Sequence, residues 1–195
     1  MEPQALFALL AFGVVSSFTP GPNNLMLMAS GANFGVLRTM PHMAGVVIGF
    51  SVMIVIVGLG LFGLFHAWPT SFTVLKVVSV LYTLWLAWKI ARSSAPDTSS
   101  TAARPMTFVQ AAAFQWINPK AWTMALSAIT LYAPDEKLDS VLVIALVFGL
   151  CGIASTGSWM LMGLSIRRWL SSHQRLLAFN YGMAALLVGS IALAI

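Results

Sequence analysis

Carboxylates are scarce in this chain: five Asp and Glu stand against ten Lys and Arg in 195 residues, and only 8% of positions are charged. A soluble domain of average usage carries about one quarter charged residues, so the polar rind of a water-facing fold is missing. Cysteine is nearly absent as well. Cys151 is the single one, which excludes an internal disulfide and any cysteine-based metal spacing, and its apolar, glycine-rich surroundings predict a small buried side chain. There is no Walker A loop, no H-E-x-x-H, no G-x-S-x-G and no aspartate pair for cleavage inside a bilayer, so the common nucleotide-driven and hydrolytic chemistries have no carrier. No cofactor or metal is expected.

What the chain does have is hydrocarbon: 59% of its residues are apolar and its mean hydropathy is +0.89. The expected fold class is an all-α integral membrane protein, one transmembrane domain over residues 1–195. A net charge of +5 could suit a nucleic acid, but the basic residues are scattered through short polar gaps between apolar runs. That pattern belongs to membrane topology, and no nucleic-acid partner is expected.

Crossing about 30 Å of hydrocarbon takes about 20 helical residues. Six segments meet the requirement, near 5–32, 41–65, 71–90, 107–132, 140–163 and 176–194. The start, Met1-Glu2-Pro3-Gln4, lacks the basic region of a signal peptide and runs into an apolar stretch longer than such peptides have, so it is read as the beginning of the first span. Polar gaps at 33–40, 66–70, 91–106, 133–139 and 164–175 separate the six. Arg38, Lys89, Arg92, Arg104, Arg167, Arg168 and Arg175 then fall on one side, and Lys137 stands alone on the other beside Asp135, Glu136 and Asp139. The positive-inside rule puts the seven in the cytoplasm and both termini outside. The halves of the domain are about 1–92 and 107–195, with a cytoplasmic loop of about 91–106 between them.

Two spans cannot be continuous helices. The first contains Thr19-Pro20-Gly21-Pro22-Asn23-Asn24, where two prolines remove backbone donors and force the preceding residues out of helical geometry. The fourth contains Gln115 and then Asn118-Pro119-Lys120, a preferred N-cap followed by the residue favoured at the first helical position. Both breaks fall about halfway along, where free backbone groups are tolerated only against protein or a cavity. Three helices separate the two interruptions, so the interrupted helices run in opposite directions and the halves fit a 3+3 inverted repeat. Two half-helix N-termini aimed at one region suit an anion. Lys120 adds a full charge at a depth that costs about 2.5–3.5 kcal/mol and marks a cavity or pathway. Carbonyl ends of the preceding half-helices, around 15–18 and 114–117, suit an ammonium group or a cation. Together these describe a site for a zwitterion. The candidate binding residues are Thr19, Pro20, Gly21, Pro22, Asn23, Asn24, Gln115, Asn118, Pro119, Lys120 and Trp122.

Other features have plainer readings. Lys76 lies about two turns from the outer end of its span, within snorkelling reach of headgroups. His42 and His66, at the two ends of the second span, are expected at the interfaces. Trp68, Trp88 and Trp169 sit near span ends as aromatic anchors, whereas Trp116 and Trp122 flank the second break and are pocket candidates. The GxxxG pairs 31/35 and 45/49 fit close helix packing, within the chain or in a homodimer. Ser155, Thr156 and Ser158 either bond back to helix carbonyls or line the cavity. No carboxylate lies inside a span, so coupling to an ion gradient would have to use another group; exchange of a proton for the substrate carboxylate at Lys120 is the expectation. The alternatives to a carrier are an intramembrane enzyme with a Ser/Lys pair and a small-solute channel.

At these residues the chain resembles the LysE/RhtB amino-acid exporters over nearly its whole length. The likeness is carried by Thr19 to Asn24, by Gly35 with Arg38, by Ala44-Gly45 through Gly49, by Leu81-Tyr82, and by Asn118-Pro119-Lys120-Ala121. Thr19 to Asn24 with Tyr82 and the run from Trp85 to Ala91 are most similar to the cysteine/O-acetylserine exporter branch. The resemblance implies efflux of a small amino acid or derivative, cysteine- and O-acetylserine-like or homoserine- and threonine-like, across the bacterial inner membrane by an ion-driven mechanism, with H+ as the coupling ion. Many relatives carry Asp where this chain has Asn23, so a proton-coupling carboxylate does not carry over to that position.

Overall fold

The computed structural model describes residues 1–61, 69–92, 104–133, 137–166, 169 and 172–194. Seven α-helices account for most of them: α1 (Pro3–Phe18), α2 (Pro22–Ile56), α3 (Pro69–Ala91), α4 (Phe108–Phe114), α5 (Pro119–Tyr132), α6 (Leu138–Ile166) and α7 (His173–Ala194). A π-helical turn, Val57–Leu61, extends α2, and a 3-10 turn, Gln115–Ile117, follows α4. Among the described residues there is no strand.

Local chemistry sets the helix ends. Thr19 is extended (φ −60°, ψ 142°) because Pro20 follows it, and α1 stops there. Pro22 opens α2 at its first position. At α4 the Thr107 hydroxyl accepts from the Gln110 N–H at 3.2 Å, and the Gln110 side chain accepts from the Thr107 N–H at 3.0 Å, a reciprocal capping box. Both interrupted segments are thus interrupted in the structure, at 19–21 and at 115–118.

The gap expected at 33–40 is not a loop. It is helical apart from Gly35, whose φ of 76° and ψ of 177° suit glycine alone. That one residue turns the chain back on itself. Ser30 and Thr39 share a hydrogen bond of 2.9 Å, whereas nine residues of straight helix would part them by about 13.5 Å. Helix α2 is therefore two rods, 22–34 and 36–56. Asn33, Arg38 and Thr39 are polar yet lie within helical turns, Thr39 bonding back to the Gly35 carbonyl at 2.8 Å, so polarity here does not mark a loop.

Helix α6 runs beside α2 and touches α1 as well. Small residues permit the approach: a Cβ on Gly31 would collide with the Met160 carbonyl, one on Gly163 with the Met28 carbonyl, and ones on Gly45 and Gly49 with Phe108 and Ala112 of α4. Gly31, Gly45 and Gly49 therefore meet partners inside the chain, and Gly35 is the bend. A glycine-mediated contact between two copies would have to use others, such as Gly182 and Gly189 of α7, which face no atom of the described residues within 4 Å.

Phe12, Phe50 and Phe148 stack edge to face at 5.9 and 5.7 Å in the interior. The outside is apolar too. Leu142, Leu146, Leu150, Ile153 and Leu161 stand exposed on α6, a patch that water would not tolerate and lipid would. By length and composition the stretches Pro22–Gly60 and Leu138–Ile166 suffice to cross a membrane, and in the first, which Gly35 divides, the 36–56 rod alone has the roughly 20 residues needed.

Trp88 and Trp169 are exposed, each beneath a guanidinium, from Arg92 at 4.7 Å and Arg175 at 5.5 Å. His66 and Trp68, the acidic pair Asp135 and Glu136, Arg167 and Arg168, and most of the 91–106 loop lie outside the described residues, as do the side chains of Lys76 and Lys89.

The packing predicts that Gly163→Ala, which overlaps the Met28 backbone, lowers the thermal unfolding midpoint of the detergent-purified protein by several degrees, an overpacking cost of about 1–3 kcal/mol. Gly182→Ala should leave that midpoint unchanged or raise it slightly.

Candidate functional site

The two breaks meet. Lys120, in the first turn of α5, crosses to the end of α1 and donates to the Thr19 carbonyl at 2.5 Å and to the Thr19 hydroxyl at 2.8 Å. Gly21 makes this crossing feasible: a Cβ there would stand 2.6 Å from Lys120 Cδ and 3.2 Å from its Nζ. The ammonium thus sits on the electronegative end of α1, where a cation is favoured. An ammonium has three N–H donors, and the two bonds to Thr19 leave one for something else.

The neighbouring helix starts are finished differently. Asn118 caps α5 by accepting from the Lys120 N–H at 3.1 Å. The N-cap of helix α2 is Gly21, which has no side chain to cap with. The electropositive end of α2 is therefore the one open to an anion.

Amide side chains tie the breaks together on the other flank. Asn23 donates to Gln115 at 2.8 Å and Gln115 donates back at 3.3 Å, while the Gln115 amide also reaches the Ala111 carbonyl at 2.8 Å. Asn24 donates to the Ser17 and Thr19 carbonyls at 2.7 and 3.0 Å. The carbonyl end of α1, expected to be free for an ammonium or cation, is thus partly satisfied by the chain's own donors.

Around this junction lies a cavity of about 50 Å³. That holds a few water molecules at about 10–15 Å³ each. Of the residues proposed from the sequence, Gly21, Asn23, Asn24, Gln115, Asn118 and Lys120 line it. Thr19 reaches it through its bonds to Lys120, and Pro20, Pro22 and Pro119 shape the backbone behind. Trp122 does not line it: its indole N–H donates to the Trp116 carbonyl at 2.9 Å, and the two rings pack edge to face at 5.9 Å.

Helix α6 adds Ser155 and Thr156 to the lining. Ser155 donates to the Ser17 carbonyl at 2.7 Å and Thr156 to the Gly152 carbonyl at 2.6 Å. With those hydrogens engaged, both oxygens face the cavity only as acceptors. Ser158 is exposed and bonds to its own helix at Ala154. Phe50, Met124 and Phe148, which form an apolar wall, carry no local signal: each looks like ordinary core until α2, α5 and α6 are brought together.

His42, expected at the interface, is buried at 1% exposure. Among the described residues no group of His, Cys, Asp and Glu is arranged to hold a metal.

The family profile described as LysE type translocator matches residues 14–194. The chain is 30% identical to the cysteine/O-acetylserine efflux protein of Klebsiella pneumoniae subsp. pneumoniae over 190 residues, 96% of this chain and 95% of that protein. It is 28% identical to the protein of the same description from Salmonella typhimurium and 27% to that from Escherichia coli K12, each over 96% of both chains. No solved structure matches.

The reciprocal amide pair predicts non-additive destabilisation. Asn23→Ala and Gln115→Ala should each leave one amide unmet, and the double variant should lose less than the sum, by about 0.5–1.5 kcal/mol of coupling in thermal or denaturant unfolding.

Proposed function

Because the chain belongs to the LysE family of translocators, whose members carry solutes and are not enzymes, we propose that it exports a small amino acid of the cysteine or O-acetylserine kind across the bacterial inner membrane, driven by an ion gradient. The single observation that carries this reading is the meeting of the two broken segments at Lys120, where one ammonium donor and the uncapped start of α2 adjoin hydroxyls that can only accept.

The polar groups of that arrangement complement a zwitterion end to end, in a site that must widen beyond the few water molecules it now has room for. Its carboxylate takes the remaining Lys120 donor and the first-turn N–H groups of α2, charge-assisted bonds of the stronger kind. Its ammonium lies toward the Ser155 and Thr156 oxygens. A short side chain then faces Phe50, Met124 and Phe148, a wall that favours small, weakly polar substituents over charged ones.

Six spans follow if α1 with 22–34 is the first, 36–56 the second, α3 the third, α4 with α5 the fourth, and α6 and α7 the last two. The first and fourth are then the matching interrupted helices of an inverted repeat, and rocking of one half against the other would open the site to each side in turn. The positive-inside rule puts Arg38, Arg92 and Arg104 in the cytoplasm and Lys137 outside. Lys120, which has no carboxylate partner among the described residues, is the group through which we propose substrate and proton exchange.

Cells expressing the protein and preloaded with a panel of labelled amino acids should release cysteine or O-acetylserine faster than control cells, and an uncoupler should slow that release. Lys120→Ala should cut it by about tenfold or more, the worth of one charge-assisted hydrogen bond. Equal release from wild type and variant removes Lys120 from the mechanism, and downhill flux without counterflow in proteoliposomes makes the protein a channel. For topology, alkaline phosphatase fused after Lys137 should be active and after Arg104 inactive; the reverse pattern inverts the proposed orientation.

A further inference from the structure

A second cavity, of about 830 Å³, lies between the 22–34 rod, the start of the 36–56 rod, α3 and α4, and shares no lining residue with the first. His42 is part of its wall. Both imidazole nitrogens, Nδ1 and Nε2, are buried and have no hydrogen-bond partner among the described residues. A buried polar group left so is costly, and native proteins keep one where water, an ion or a ligand meets it.

Three other polar side chains of this cavity are engaged within the chain. Ser30 is bonded to Thr39, Asn33 to the Ala29 carbonyl and Gln110 to its capping partner. Arg104 is different: it is exposed at the rim and pairs with no carboxylate among the described residues. Two nitrogen-bearing side chains without partners, one deep and one at the mouth, thus share a wall with the rings of Tyr82 and Phe114. An imidazole N–H and a guanidinium each recognise an anion, a carboxylate among them.

The position of this cavity ties it to the first. Phe114 and Ile117 line it while Gln115 and Asn118, on the same short stretch, line the Lys120 cavity; Met26 lines it while Asn23, one turn earlier, lines the other. The two cavities thus share the same short segments, with the Asn23–Gln115 pair on the Lys120 side.

We propose that the larger cavity is a cytoplasmic loading site for the carboxylate of an amino acid, with His42 as its hydrogen-bonding residue and Arg104 as the charge that draws the anion in. The proposal rests on the exporter reading and its orientation. From here the substrate passes the Asn23–Gln115 pair to reach Lys120.

Initial transport of labelled O-acetyl-L-serine, measured in proteoliposomes as a function of concentration at each face, tests it. His42→Phe and Arg104→Gln should each raise the half-saturating concentration at the cytoplasmic face by about tenfold, the loss of a bond to a charged group, and leave the opposite face at its wild-type value. His42→Gln, which keeps a donor, should recover part of the loss. Arg104 is exposed, so its variant keeps the test decisive if His42→Phe does not fold. Unchanged half-saturation at both faces, or equal rises at both, overturns the loading site while the exporter reading stands. A wild-type protein that moves none of the amino-acid panel overturns the exporter reading and the loading site with it.

Discussion

The bond from the Lys120 ammonium to Thr19 joins positions 101 residues apart, and the arrangement of both interrupted segments depends on it. Two helix starts and a lysine are all electropositive, and bringing them together without compensation would be repulsive. The carbonyl end of α1 supplies the compensation, with Asn24 adding a further donor to the Thr19 oxygen. The absence of a side chain at Gly21 gives the lysine stem its path. Prolines on both sides keep the backbone from closing into continuous helix, so the charge meets an open terminus instead of a saturated one.

From that contact the architecture follows outward. The rods 22–34 and 36–56 must lie close to α6 and α4 for the breaks to reach each other, and glycines at the crossings allow backbone to touch backbone. The reversal at Gly35 brings residues of both rods to one end of the bundle, beside α3 and α4, where the His42 cavity forms. The two cavities are consequences of one geometry: the same short segments turn one face to Lys120 and the other to His42.

Much of this was legible in the chain because its causes are local. Proline at 20, 22 and 119 and asparagine at 118 act on their own backbone, so the breaks could be placed within a residue or two. The long apolar runs and the shortage of charge indicated the helical class for a similar reason. The connection at 33–40 was harder to read: one glycine accomplishes the reversal, and composition cannot distinguish a polar helical turn from a loop. His42 was read as interfacial because it opens an apolar run, yet the reversal folds it inward beneath α3 and α4. Trp122 flanks the break in sequence, but its indole turns to the Trp116 carbonyl.

The sequence by itself determined that the chain is helical, suited to lipid, and broken at two proline-bearing motifs, since each of these depends on side-chain chemistry within a few residues. Only the tertiary structure decided that Lys120 rests on Thr19, that Asn23 faces Gln115, and that Ser155 and Thr156 join the same cavity from α6. The physical reason is that a hydrogen bond across 92 or 101 residues depends on how whole rods pack. That packing is set jointly by many small contacts, none of which leaves a mark at the position it places.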